Sequence, residues 1–344
     1  MKRFSKLIIY SIMMISIFIP IESYAATNKV ELEYLDINEV NPNPYYSWGD
    51  NPAVTVLDNG LILSVSDYKG DLTYTLGEYY NGKVYWKFPE AYDTGKKPSI
   101  TTLDNGDVME VHQGNGFMSG LFYNLGRYDE NNNIDWYSVG NLLNPLYGGE
   151  SSIESVDGTQ VIAFQNPYNE IEYIMGVYED RDFQVKSEGH GGLSYFSVTP
   201  NITKVDNKII DFHKSYWNDG LWYTFAGINH DYFNLSPRDS VKFDDHGKDP
   251  VGLQLDNGII LTMFEGTRGG NSPTWYRTGE LEDDTIRWTS STFAQFDGTD
   301  NDVVQLKNGY LLNVHKDPNG PSLRYVIGTW DEEANRVWWW INGL

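Results

Sequence analysis

The chain has no cysteine, few basic residues, and no long apolar run beyond its first twenty-five positions. Each lack narrows what the protein can be. Without cysteine there is neither a disulfide nor a lipidation site, so the core alone must hold the fold. Lys and Arg number 25 against 48 Asp and Glu, a formal charge of −23. Such a surface repels DNA, RNA and anionic lipid, so neither nucleic acid nor membrane insertion is expected. The one apolar run, residues 7–20, follows Lys2, Arg3 and Lys6 and precedes Ser23-Tyr24-Ala25. It is too short for a comfortable membrane span, and the small-x-Ala pattern marks residues 1–25 as a signal peptide. The expectation is an exported protein, secreted or periplasmic.

Aromatic residues are plentiful: 25 Tyr and 11 Trp, with aromatics at 15% of the chain. That is more than turns require, so part should pack between structural units and part should form exposed binding surface. Residues 250–298 show how the chain is organised. Four short apolar or alternating runs are separated by turns, the first of them Asp256-Asn257-Gly258, which reads as a tight hairpin.

This four-stranded meander recurs. Its first turn reappears at Asp58-Asn59-Gly60, Asp104-Asn105-Gly106, Asp157-Gly158, Asp206-Asn207 and Lys307-Asn308-Gly309. A Tyr followed three or four residues later by Gly falls at Tyr74, Tyr123, Tyr173, Tyr223, Tyr276 and Tyr325. Two independent landmarks thus share a period of about fifty residues, with copies starting near 52, 98, 151, 200, 250 and 301. A single such unit cannot bury both faces of its sheet, and radial stacking solves this. The fold expected is all-β, a six-bladed β-propeller spanning 51–344. A five- or seven-bladed ring requires one copy to be miscounted, the degenerate third being the weakest. Residues 26–50 should flank or close the ring, with the alternating run at 30–35 offered as the closing strand.

A meander sends its connections to opposite faces. The first-to-second and third-to-fourth turns repeat with little change, as scaffold does. The second-to-third loops differ in every copy: 67–71, 113–120, 166–170, 214–220, 265–273 and 316–321. Binding is expected on that variable face, together with the crossovers between blades.

Several residues there are candidates. One aligned position ends each second strand and is always polar: Ser66, His112, Gln165, His213, Glu265 and His315. His112, His213 and His315 fall in alternate blades, but second strands lie one strand spacing outside the innermost ones, too far out for three imidazoles to meet on one metal. They either satisfy backbone groups between blades or line separate interblade pockets. The crossovers add Asp93, Asp244, Asp245, Asp297, Asp300 and Asp302. Carboxylates there can bond their own turn, hydrogen-bond sugar hydroxyls, hold Ca²⁺, or act as the acid and base of a glycosidase. Apart from Ca²⁺, no cofactor is implied. Trp217 and Asp219 stand in a polar loop near Trp222, and the next blade offers Glu265 and Arg268. A flat apolar platform beside bidentate polar groups suits a sugar, so the pocket is expected between blades four and five.

A turn of Asp, Asn or Gly followed by a Trp opening the fourth strand occurs at Asn81-Gly82-Lys83-Val84-Tyr85-Trp86, at Asn131 to Trp136, at Asp283 to Trp288 and at Asn335-Arg336-Val337-Trp338. The pattern resembles the Asp-box repeats of sialidase-like propellers, though the Ser-x-Asp-x-Gly core is missing from all four. That resemblance implies a structural turn opposite the functional face. It also implies that a true sialidase would need an arginine cluster, whereas Arg127, Arg287 and Arg336 lie beside scaffold-face turns. The architecture is equally similar to secreted lectin propellers. Three functions follow: a secreted lectin-like protein binding a glycan or glycoprotein, favoured because no catalytic motif is concentrated anywhere; a hydrolase of a neutral glycan using two carboxylates on the same face; and a toxin-associated or protein-interaction scaffold.

Overall fold

The computed structural model describes residues 44–116, 120–143, 149–187, 191–267 and 273–340. Among them there is no helix, and the strands form six antiparallel sheets. Blade one shows the plan. Asp50–Val56 is innermost, Ile62–Tyr68 second and Asp71–Tyr80 third, with Lys83–Trp86 and Glu90–Thr94 sharing the outer edge. Blades three and four also split the outer strand, whereas blades two and five use one long strand, Ile134–Leu143 and Thr285–Asp297. The protein is a six-bladed β-propeller.

Blade six closes the ring. Its third strand, Ser322–Asp331, pairs with Arg336–Trp340 at one end and with Pro44–Trp48 at the other. The early segment thus occupies the place that Glu90–Thr94 fills in blade one. Residues 30–35, which the sequence offers for closure, lie outside the described residues, as do residues 1–25.

The recurrent Tyr has one job in every blade. The hydroxyl of Tyr325 sits 3.3 Å from both the N–H and the carbonyl of Val84 in blade one. Tyr276 meets Val337 at 3.2 and 3.0 Å, Tyr223 accepts from Ile286 at 3.1 Å, and Tyr173 accepts from Leu235 at 2.9 Å. Tyr74 reaches Ile134, and Tyr123 reaches Phe183 and Asp182. Each blade is therefore clasped to the outer strand of the next, and burial of these backbone groups makes the clasp costly to lose. The Gly that follows lets an aromatic ring lie on the third strand: a Cβ at Gly77 would stand 2.7 Å from Trp86, and one at Gly328 2.6 Å from Trp339. In blade six it is Trp339 that occupies this place, with Trp338 outside under Arg336.

The degenerate third copy is a full blade with a tighter turn. Val156 pairs with Thr159 directly, across Asp157 at φ 50° and Gly158 at φ 80°, the conformation of a two-residue type I′ hairpin. The core lies between blades, as where Leu306, Leu312, Tyr325 and Ile327 of blade six meet Val54, Ile62, Val84 and Trp86 of blade one.

Candidate functional site

The aligned polar position at the end of each second strand is buried in five blades and half-buried in the third, at Gln165. His112 donates or accepts at Nδ1 with Glu110 at 3.0 Å and stacks on Phe122; His213 pairs with Asp211 at 2.8 Å and Ser194 at 3.2 Å; His315 pairs with Asn313 at 2.8 Å and stacks on Phe296. Each Nδ1 partner (Glu110, Asp211 and Asn313) stands two residues earlier on the same strand. Asp93 adds to the first cluster, its Oδ2 accepting from Asn124 at 3.0 Å and lying 3.8 Å from His112. Burial opposes a charge on His112, but Glu110 outweighs it and the pKa rises. Burial, with Arg324 adding to it, pushes His315 down to about 3, so that ring is neutral. Among the described residues, no three His, Cys, Asp or Glu converge as metal ligands.

On the variable face the ring axis opens into a polar mouth of about 260 Å³. A repeated bulge shapes it. In five blades the innermost strand breaks register near its start, at a residue with positive φ: Asn51, Lys97, Thr199, Asp249 and Asp300. Four of these precede proline, which needs no ladder partner at a bulge. All five line the mouth, with Glu150 from blade three ion-paired to Lys97. Burial, then the neighbouring Asp300, pushes the Asp249 carboxyl up to about 6; burial also raises Asp300 and lowers Lys97. Glu265 stands close by, 2% exposed and 2.9 Å from Lys248.

A second opening, of about 390 Å³, lies between blades four and five. Phe243 and Phe264 pack edge to face at 6.0 Å, and Lys242, Asp244, Asp245, His246, Trp275 and Arg277 line the opening with them. Arg277 donates to Asp244 Oδ2 through Nε at 3.2 Å and Nη2 at 2.8 Å, and Asp244 Oδ1 accepts from the His246 N–H at 3.0 Å. Trp275 lies so close to Gly266 that a Cβ there would be 2.7 Å from the indole. Asp245 is exposed and ion-paired with Lys242 at 2.5 Å, and that ammonium also stands 6.0 Å from the Trp222 ring.

Of the crossover acids that the sequence offers on this face, Asp244 and Asp245 line the opening; Glu265, offered for this pocket, does not line it and is buried against Lys248 instead. Trp217 and Asp219 stand on an adjoining loop, both exposed, with Asp219 3.3 Å from Lys214. Arg268 lies outside the described residues. Trp275 and Arg277 supply the aromatic and the guanidinium instead. A signal for them exists: the residues flanking the recurrent Tyr are Thr73 and Thr75 in blade one but Trp275 and Arg277 in blade five. Among the described arginines, Arg127, Arg238, Arg277, Arg287 and Arg324 each pair with a carboxylate in separate places, and none lines the axial mouth.

No family model and no curated protein matches this sequence. Solved structures share its fold. The NanB sialidase from Streptococcus pneumoniae is similar with a TM-score of 0.61 and 10% identity, over 83% of this chain and 70% of that one. A protein of unknown function from Dyadobacter fermentans gives 0.58 at 12% identity over 84% and 95%. The α-L-arabinofuranosidase Arb93A from Fusarium graminearum gives 0.53 at 11% identity over 87% and 95%. These likenesses are of fold alone.

Proposed function

We propose that the protein is an exported carbohydrate-binding propeller that takes a neutral glycan into the cleft between blades four and five. The observation that carries this reading is the cleft's composition. An indole beside an Arg277–Asp244 pair, backed by two phenylalanines, offers an apolar face for a sugar ring and directional groups for its hydroxyls. The volume is in the range of small-molecule sites, and the strong negative charge disfavours an anionic sugar. The fold's likeness to a sialidase and an arabinofuranosidase supports a glycan ligand. Export rests on the leader-like residues 1–25.

A second reading is favoured by one observation at the axial mouth. Asp249, whose carboxyl is pushed up to about 6 by burial and then by the neighbouring Asp300, has a second carboxyl beside it, and an acid and base of a neutral-glycan hydrolase need such a pair. A glycan array, followed by mass analysis of the bound sugars, tests both readings. Intact sugar retained by the wild type and lost in Arg277→Ala supports the cleft; shortened sugar, with cleavage lost in Asp249→Asn, supports the hydrolase. Binding unaffected by Arg277→Ala overturns the cleft reading.

A further inference from the structure

Beside the cleft, the same face carries an aromatic patch that the cleft does not include. Trp217 is 70% exposed, Tyr216 48%, Tyr195 71% and Phe196 53%. Trp217 packs against Tyr216 with ring centroids 5.0 Å apart at 73°, and against Phe196 at 5.7 Å and 47°. Two chain segments build the patch: the crossover from blade three to four, and the second-to-third loop of blade four. They are joined by the Tyr216 N–H donating to the Phe196 carbonyl at 2.8 Å. Phe196 itself holds φ at 53°, a conformation that a bulky side chain rarely adopts. The fold thus turns a large ring outward at a strained position.

We infer that this patch is a platform that extends the cleft, and that together they bind an extended neutral polysaccharide chain rather than a single sugar. The inference rests on the cleft reading for one end of the chain. Continuity supports it. The loop that carries Trp217 ends at Asp219, whose carbonyl accepts from the Gly247 N–H at 2.8 Å, and Gly247 directly follows the cleft residues Asp244, Asp245 and His246. One loop therefore touches the platform on one side and the cleft wall on the other.

The chemistry of the patch selects the occupant. Its rings are tilted against one another rather than coplanar and are largely exposed, and an exposed aromatic ring packs against the C–H face of a sugar. The same two segments also carry polar groups: the Tyr195 and Tyr216 hydroxyls, Asn218, and the Lys214–Asp219 pair. The charge of −23 opposes anionic lipid and polyanionic glycans.

The test uses isothermal titration with cello-, xylo-, arabino- and chito-oligosaccharides of two and six units, and pull-down on the corresponding insoluble polymers. In the wild type, the hexamer of one series binds at least tenfold more tightly than its dimer. Trp217→Ala reduces the hexamer to the affinity of the dimer, leaves the dimer as it was and keeps the melting temperature, and Trp217→Phe restores most of the gain. A hexamer affinity unchanged by Trp217→Ala overturns the platform while leaving the cleft reading intact. Hexamer binding that depends on Trp217 but not on Arg277 keeps the platform and overturns the cleft. Trp217-dependent binding to phosphatidylcholine vesicles, or Trp217-dependent self-association in light scattering, without polysaccharide binding, overturns the inference in favour of a bilayer or a second copy.

Discussion

On the face carrying the first-to-second turns, the blades repeat one set of contacts; on the opposite face five blades share a bulge at the axis, but the loops around it differ from blade to blade. The repeated contacts concern the backbone. A Tyr hydroxyl meets the next blade's outer strand, and a Gly makes room for an aromatic ring above it. The divergent contacts concern side chains: a stepped aromatic patch on blades three and four, a cleft between four and five, and raised carboxyl pKa values around the axis. The difference teaches that stability and recognition occupy separate residues in this fold. A ring of clasps leaves the loops free to vary, because the Tyr hydroxyls that join blade to blade bond strand backbone rather than those loops.

The largest expected effect breaks the repeated side. In Gly279→Val the new Cβ stands 2.5 Å from Ile286 and 3.0 Å from the Arg287 carbonyl. With no space to relax, the variant should lose about 3 kcal/mol or more in urea unfolding. Next come two tests at the axis and loops, each on the order of 2 kcal/mol and opposite in sign. Burial holds Asp302 near 7, above its ordinary 3.8. Its contribution to stability is complete below pH 3.8 and is lost as pH rises through 7, so Asp302→Asn should gain on the wild type between pH 4 and 8. His315 is pushed down to about 3 from 6.5. Its contribution is complete above pH 6.5 and is lost as pH falls toward 3, so His315→Gln should flatten the acid limb of a melting-temperature profile.

Smaller still, Tyr276→Phe removes the clasp on Val337 and should cost about 1–2 kcal/mol in thermal melts with glycan binding unchanged. If binding fell with it, the separation of the two faces would fail. The smallest effect belongs to Trp217→Ala, within about 0.5 kcal/mol of the wild type by melting temperature. A large loss would make that ring part of the scaffold.

The propeller was legible in the sequence because its parts repeat. Tyr74 through Tyr325 recur since each performs the same backbone contact, and a period survives wherever a role is shared. The third blade looked weakest because Asp157-Gly158 replaces a longer turn by a shorter one of a different type. The site was harder to read for the opposite reason. A site occurs once, so nothing marks Arg277 beyond departure from the repeat, and Asp244 stood out only as one acid among several in the crossovers. Trp217 drew notice by standing in a polar loop, whereas Trp275 hid in the normal alternation of a third strand. The axial bulges did leave a trace, in Asn51-Pro52, Lys97-Pro98, Thr199-Pro200 and Asp249-Pro250, whose meaning depends on a backbone angle that composition does not reveal.

The placement of Pro44–Trp48 on blade six also sets an order of events. The strand that finishes the last blade comes before the first, nearly 280 residues away from its partner at Ser322 and Arg324. Pairing at such separation forms late, since the loop-closure entropy is met only once the intervening blades are in place. During synthesis the early strand must therefore wait, unpaired, for nearly the whole chain. Until that strand pairs, the start of the third strand of blade six keeps an open edge, so the ring is completed only when both ends of the chain have met.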